Sequence, residues 1–494
     1  MIEALHESLG LVFQWGNLAG IALGMLMGVI IGCIPGMTGN MAVALMLPFT
    51  FHMAPITALL VLAALYKGAI YGGSISAILI KTPGTPAAAA TVIDGYQLAT
   101  KGQSGKALFM ALYASCIADF FSNLSLILFT GVIADFALRF GPPEFFALIC
   151  FSLTIVCGVT EGSIAKGLLS GSLGLLLVVI GIDVVHGTQR FAFGYPYLMS
   201  GLNFIPVLIG LFAFPEIISC CVEKAQEHAK AANMDDSRVT WPDFKKCFRT
   251  ILRGSFIGIV LGAIPGIGSA PAAFLSYSEA KRASKHPDTF GKGELEGVAA
   301  AESGNNGCCG STFIPLLSLG VPGDSITAII LGAFMMHGLT PGPLLFTKSL
   351  PLVYALYIGI LFSSILMFLC GIMCIRGFSL VSNVSRRVLF PAVLVLCVYG
   401  CYATNNSMFD VLVMFIMGVV GYFMRCWKIP APPFLIAFIL GPLLEDNLRR
   451  SLLMSDGSYA ILGRSLICWI FYAMMIFSFY IIIKREIHRK KDAS

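Results

Sequence analysis

Apolar runs long enough to cross a bilayer recur along this chain, and they leave few folds open. Stretches such as 164–182 and 463–483 approach the roughly 20 residues that a helix needs to span the hydrocarbon core. On that length criterion about ten to twelve crossing or part-crossing segments are expected. Charge is correspondingly scarce: 12% of residues are Asp, Glu, Lys or Arg, where a soluble domain has about 25%, and 57% are hydrophobic. With a mean hydropathy of +0.86, the polar residues cannot cover a soluble body of this size. The short alternating strands of a membrane barrel are missing too. The expected fold is an all-α polytopic membrane protein. Its start, "MIEALHESLG", has acids but no Lys or Arg, which is wrong for a signal n-region.

Against this background the stretch "AAESGNNGCCGSTFIPLLSLGVPGD", Ala300 to Asp324, is out of character. It reads as polar, helix-breaking backbone at bilayer depth, which is tolerated only where protein buries it or it lines a wet cavity. An internal similarity gives it a context. "GCIPGMTGN" from Gly32 matches "GAIPGIGSA" from Gly262 at an offset of 230 residues. Further on, Gly73-Ser74 matches Gly310-Ser311 at an offset of 237, and Pro83-Gly84 matches Pro322-Gly323 at 239. The order of the landmarks is kept. The chain therefore reads as two related repeats, residues 1–222 and 251–494, around a polar cytoplasmic linker, 223–250. The preferred relation between the repeats is inverted, with partly re-entrant, Pro-Gly-broken helices. Proline removes a donor and glycine admits unusual angles, so each break ends a helix. Paired interruptions at matching places point to a transporter's binding site, where helix N-termini favour anions and carbonyl ends favour cations.

Together these stretches resemble the large membrane subunit of the tripartite tricarboxylate transporters, the TctA-type proteins. The resemblance runs over nearly the whole chain. It is densest in "YGGSISAILIKTPGTPAAAATVIDGYQLATKGQSGKAL", in "FGKGELEGVAAAESGNNGCCGSTFIPLLSLGVPGDSITAIILGAF" and in "HGLTPGPLLF". It implies a multi-pass protein of a bacterial inner membrane and secondary transport coupled to H+ or Na+. It also implies two partners, a small membrane subunit and a periplasmic solute-binding protein that delivers a carboxylate. The family usually has Pro-Glu and Ala-Asn-Asn-Ala where this chain has Ala301-Glu302 and Gly304-Asn305-Asn306-Gly307, and a small residue where this chain has Asp324.

Candidate residues follow from charge and position. On the substrate side they are Pro35, Gly36, Asn40, Gly73, Ser74, Lys81, Thr82, Pro83, Gly84, Thr85, Pro265 and Gly266. Lys81 offers a positive charge at a broken helix, and the hydroxyls either add donors or cap. On the ion-coupling side they are Glu302, Asn305, Asn306, Ser311, Pro322, Gly323 and Asp324, where H+ or Na+ would bind. An acid inside the membrane is by default a functional candidate, although Asp324 also reads as a helix N-cap. From Gly293 to Thr347 there is no Lys or Arg, whereas Tyr66 to Lys106 has four lysines and one acid, Asp94. The first half is thus expected to lean towards the carboxylate and the second towards the cation.

Other charged residues read more plainly. Lys67 reads first as a snorkelling lysine, Asp94 as a turn former and His337 as an interface residue, while Asp119, Asp135 and Asp410 stay open as relay residues. Cys370 with Cys374, and Cys397 with Cys401, read as small buried hydrophobes. The basic C-terminal tail "KREIHRKKDAS", the loop of Arg376, Arg386 and Arg387, and residues 223–253 are expected in the cytoplasm, a rule that Arg449 and Arg450 fit less well. No basic stripe interleaves with aromatics, so a nucleic-acid partner is not expected. Hydrolase and metalloprotease signatures are absent, and no cofactor is expected beyond the coupling ion. A passive anion channel or exchanger is the alternative transport reading, and an intramembrane hydrolase the distant one.

Overall fold

The computed structural model describes residues 2–159, 163–183, 187–222, 237–382 and 386–492. The first fourteen residues of the expected linker, 223–236, lie outside this set. The described chain is almost wholly helical. It opens with α1 (Ile2–Val12), α2 (Trp15–Cys33), α3 (Gly39–Thr50), α4 (Pro55–Ile80), α5 (Ala88–Thr100) and α6 (Ser104–Ala137). Next come α7 (Pro142–Val159), α8 (Ile164–Val178), a two-residue β pair, α9 (Pro196–Met199), α10 (Phe204–Phe212) and α11 (Phe214–Val222). After the linker follow α12 (Trp241–Gly262), α13 (Ser269–Ala283), α14 (Leu295–Ser311), α15 (Phe313–Leu319), α16 (Ser325–Met336), α17 (Pro343–Lys348) and α18 (Leu350–Ser382). The last helices are α19 (Arg386–Asn405), α20 (Met408–Cys426), α21 (Ala431–Leu453) and α22 (Leu466–Asp492). Among the described residues six helices are long and apolar enough to cross a membrane, and six shorter apolar ones accompany them, consistent with a multi-pass α-helical membrane protein.

Two compact units are present. One comprises Met1–Ala134 and Glu216–Leu396, the other Asp135–Pro215 and Cys397–Ser494. These units are cut differently from the consecutive halves read in the sequence: each takes one segment from either side of the linker. The reason lies in the packing, since in the first unit α14 lies against α4 and α5. The expected linker end at residue 250 also falls inside a helix. Thr240 and Asp243 form a capping box, so α12 starts at Trp241 and runs unbroken to Gly262.

All four Pro-Gly pairs lie between helices: Pro35-Gly36 between α2 and α3, Pro83-Gly84 between α4 and α5, Pro265-Gly266 between α12 and α13, and Pro322-Gly323 between α15 and α16. The glycine-rich stretch before the last pair behaves otherwise. It reads as broken backbone in the sequence, yet Leu295–Ser311 is one helix, and every residue of it except Glu296 is buried. Glycine here serves close packing. Gly24, Gly28 and Gly32 of α2 face α4, where a Cβ on Gly28 would run into the Leu65 carbonyl and one on Gly32 into that of Ala69. On the other side of the linker, Gly254, Gly258 and Gly262 of α12 face Ser303, Gly304, Gly307 and Ser311 of α14. The two stripes are offset by the 230 residues that separate Gly32 from Gly262. Small residues at four-residue spacing let membrane helices approach backbone to backbone. The result is that α4 and α14 are covered on all sides and form the middle of the first unit.

The second unit joins α7 and α8 to α21 and α22, and α10 to α20. Here Arg449 donates to Asp183 at 2.5 and 2.9 Å and pairs with Glu445 at 2.7 Å, while Arg190 also pairs with Glu445 at 2.6 Å. Arg449, which fitted the charge rule poorly, is thus neutralised within its own unit.

A methyl group on the α2 stripe should be enough to disturb the first unit. Gly28→Ala should lower the melting temperature of the purified chain, because overpacking a tight contact costs about 1–3 kcal/mol. Gly16→Ala, where a Cβ would meet nothing within 4 Å, should leave it unchanged.

Candidate functional site

The site is built on the two buried helices of the first unit. The entry to α14 is fixed by Asp94, which does not form the expected turn but lies within α5, fully buried. Its Oδ1 accepts the backbone N–H groups of Gly291, Gly293 and Glu294, each at 2.8 Å. Its Oδ2 accepts the Tyr277 hydroxyl at 2.7 Å. A carboxylate can take several N–H donors at once, and charge-assisted bonds of this kind are the strong ones. Asp94 therefore holds the loop that leads into α14 and fixes where that helix starts.

Two turns further along α14, Glu302 is fully buried. Its Oε1 accepts the hydroxyls of Ser74, at 2.6 Å, and of Thr91. Its Oε2 accepts the Ser115 hydroxyl at 3.0 Å and the Asn306 amide at 3.3 Å. Asn306 also donates to Ser115 at 2.8 Å, which ties the cage together. These donors come from α4, α5, α6 and α14. Among the described residues Glu302 has no ion-pair partner, so hydroxyl and amide dipoles alone solvate it. Hydroxyls can turn from donor to acceptor. Such a cage fits a carboxylate that is charged at one moment and protonated or cation-bound at another.

The Pro83-Gly84 break lies beside this cage, through Gly73 next to Ser74, and other breaks contact one another. The Gly84 N–H donates to the Gly73 carbonyl at 3.3 Å, and Gly84 is pressed against the Gly32 carbonyl. The Gly266 N–H donates to the Gly323 carbonyl at 2.8 Å, and Ser325 donates to the Asn40 side chain at 2.9 Å. Breaks from both sides of the linker are thereby joined. Pro35 is buried, Pro265, Pro322 and Gly323 likewise, and Gly36 has φ +89°. Asp324 caps α16 in a capping box with Thr327 and accepts the Tyr66 hydroxyl at 2.8 Å. Thr85 is buried and accepts the Ala88 N–H. The Ser311 backbone N–H donates to Ser122 Oγ at 2.8 Å, and the Ser311 hydroxyl donates to the Gly307 and Cys308 carbonyls. Asn305 is buried, and neither of its amide atoms is paired among the described residues. It follows Ala301 by one turn on the α14 face that packs with Ala87, Ala90 and Ala273.

The first-half candidates divide. Ser74, assigned to the substrate side from sequence, belongs to the Glu302 cage. Lys81 and Thr82 are exposed: Lys81 ends α4 with φ +58° and lies 5.6 Å from the centre of the Tyr96 ring, while Thr82 bonds back to the Ile80 carbonyl.

The charge that sequence reasoning undervalued is Lys67. It does not snorkel but is fully buried in the middle of α4, 2.8 Å from Asp119 of α6, itself fully buried. Asn123 and Ser364 complete the cluster around Asp119 Oδ2, at 3.1 and 2.6 Å. A signal for it existed: Ser115, Asp119 and Ser122 follow the i, i+4, i+7 spacing of one helix face inside an otherwise apolar run. Asp135 is exposed, and Asp410 is buried with Asn405 at 2.8 Å. The cysteines at 370, 374, 397 and 401 are buried thiols, and among the described residues no group of His, Cys, Asp and Glu is arranged to hold a metal.

Removing one member of the buried pair leaves the other charge without compensation. Lys67→Met should therefore lower stability by about 3–5 kcal/mol, and Lys67→Met with Asp119→Leu should recover most of the loss. Thermal unfolding of the three purified proteins in one detergent checks this.

Comparison with known proteins adds the context of this geometry. An uncharacterized 52.8 kDa protein in the TAR-I ttuC' 3' region of Agrobacterium vitis is 36% identical over 476 residues, covering 96% of this chain and 95% of that protein. A second Agrobacterium vitis protein, from the TAR-II ttuC' 3' region, is 37% identical over 221 residues, 43% of this chain and 91% of its own length. No solved structure matches. The profile of the tripartite tricarboxylate transporter TctA family matches residues 18–436, which include every break and both buried charge clusters. A multi-pass helical chain whose central helices carry caged charges, matched over that span, belongs to the tripartite tricarboxylate transporter TctA family.

Proposed function

We propose that this chain is the transport subunit of a binding-protein-dependent secondary transporter that imports a tricarboxylate or another carboxylate across a bacterial inner membrane. Glu302 is its coupling acid, taking H+ or Na+, and substrate meets the joined Pro-Gly breaks. The observation that carries this reading is the Glu302 cage: a fully buried carboxylate held by hydroxyls and one amide, with no fixed cation among the described residues. Two other buried acids of this unit are held by fixed partners, Asp119 by the Lys67 ammonium and Asp94 by three main-chain N–H groups. One solvated only by reversible dipoles is suited to gaining and losing a positive charge during a cycle. The landmarks ordered alike on the two sides of the linker support two repeats, preferably inverted, and alternating access at their interface.

Membership of a tripartite family supports two partners, the small membrane subunit and a periplasmic solute-binding protein. In this reading the cation binds at Glu302 and its neighbours Asn305 and Asn306, and the Asn305 amide, with no partner among the described residues, is an additional ligand for substrate or ion. Lys81, exposed at the end of α4, serves the carboxylate at the approach to the site rather than inside it. An exposed charge contributes little, up to about 1 kcal/mol.

Uptake assays test both parts. In proteoliposomes holding the complete system, Glu302→Gln should abolish or flatten the dependence of uptake on sodium or pH, and Lys81→Met should change it little. An unchanged ion dependence in Glu302→Gln refutes the coupling role. With this chain alone, uptake of labelled carboxylate should stay low until the small subunit and a loaded binding protein are added. Full uptake without them would place the chain outside a tripartite mechanism.

A further inference from the structure

The Lys67 ammonium is surrounded as a small bare cation would be. Its Nζ lies 2.8 Å from Asp119 Oδ2, 2.7 Å from the Ile360 carbonyl, 2.7 Å from Ser363 Oγ and 3.3 Å from Ser364 Oγ. The two hydroxyl protons are used elsewhere: Ser363 donates to the Ile360 carbonyl at 2.6 Å and Ser364 to Asp119 Oδ2 at 2.6 Å. Their lone pairs are left for the ammonium. One carboxylate, one carbonyl and two hydroxyls is an all-oxygen set of the kind that hard cations take. The cluster also has acceptor capacity to spare. Asp119 Oδ1 and Asn123 Oδ1 are buried without a partner among the described residues, and the Asn123 orientation is fixed, because its Nδ2 points at Asp119, Ser364 and the Ile360 carbonyl. Asp119, Asn123, Ser363 and Ser364 are all nine-tenths buried or more.

A buried ammonium needs one acceptor for each of its three N–H groups. Here four oxygens lie within reach of it, and two further acceptors stay unused in the same cluster. We propose that the Lys67 ammonium is the tethered occupant of a Na+-type cation site formed by Asp119, Ser363, Ser364 and the Ile360 carbonyl, holding the place that a free sodium ion takes when the lysine is absent. At this site the chain carries its positive charge covalently and needs no sodium. Glu302, with no fixed cation, is chemically the opposite case. The proposal does not depend on the transport reading, because its test reads binding and stability in the isolated chain.

The test uses the full chain purified in detergent, as wild type, Lys67→Ala, and Lys67→Ala combined with Asp119→Asn. Melting temperature is followed against NaCl, with KCl and choline chloride at equal ionic strength, and equilibrium binding of radioactive sodium is measured in parallel. Lys67→Ala should show a saturable, sodium-specific upward shift larger than that of wild type, together with additional bound sodium. Both gains should vanish in the double variant. Sodium responses of equal size in wild type and Lys67→Ala, or a gain that survives Asp119→Asn, overturn the proposal. Lys67→Met with Asp119→Leu guards against loss of folding. If that apolar pair folds while Lys67→Ala gives no folded protein even when purified in sodium throughout, the site does not accept the ion and the proposal also fails.

Discussion

Backbone-to-backbone contact between α2 and α4, and again between α12 and α14, is the constraint on which the first unit depends. In a membrane there is little hydrophobic drive between helices, so close packing and internal hydrogen bonds supply the association. Glycine at every fourth position of α2 and α12 lets each of these helices press onto a central partner. That closeness completes the cover around α4 and α14, which are buried on every face. Only helices covered in this way can carry Lys67 and Glu302, because a charge in contact with lipid is expensive. The glycine stripes and the buried charges are therefore two parts of one arrangement.

The two charged clusters solve the same desolvation problem differently. Asp119 is compensated by a fixed ammonium and by hydrogen bonds from Asn123 and Ser364. Glu302 is compensated by dipoles alone, from Ser74, Thr91, Ser115 and Asn306. A full charge opposite a full charge is strongly held, and breaking such a pair is costly. Reorienting a hydroxyl is a small change. The same unit thus holds one buried acid compensated by a full charge and one compensated by dipoles.

Much of this was legible in the sequence. The apolar run lengths indicate a polytopic helical fold, and the four Pro-Gly pairs mark real helix ends. Glu302 stood out as an acid where acids are rare. Other features were hidden for physical reasons. The run Gly304 to Ser311 looks like broken backbone by propensity, but a buried segment away from water keeps its hydrogen bonds internal, and small residues then favour packing over unfolding. Lys67 and Asp119 lie on different helices, and no local pattern pairs them. Asp94 precedes a glycine and resembles a turn residue, yet its three N–H donors come from a loop about 200 positions away. The interleaving of the two compact units could not be read either, since spacing along the chain says nothing about which segments share a core.

Asp94 also sets a mechanical condition. It stands on α5, directly after the Pro83-Gly84 break, and grips the loop that begins α14, the helix of Glu302. Separating these helices would strip one carboxylate of three main-chain donors, bonds worth about 1.5–3 kcal/mol each when one partner is charged. The segment after the first-half break and the helix of Glu302 are therefore clamped together, and any movement that parts them must first break these bonds.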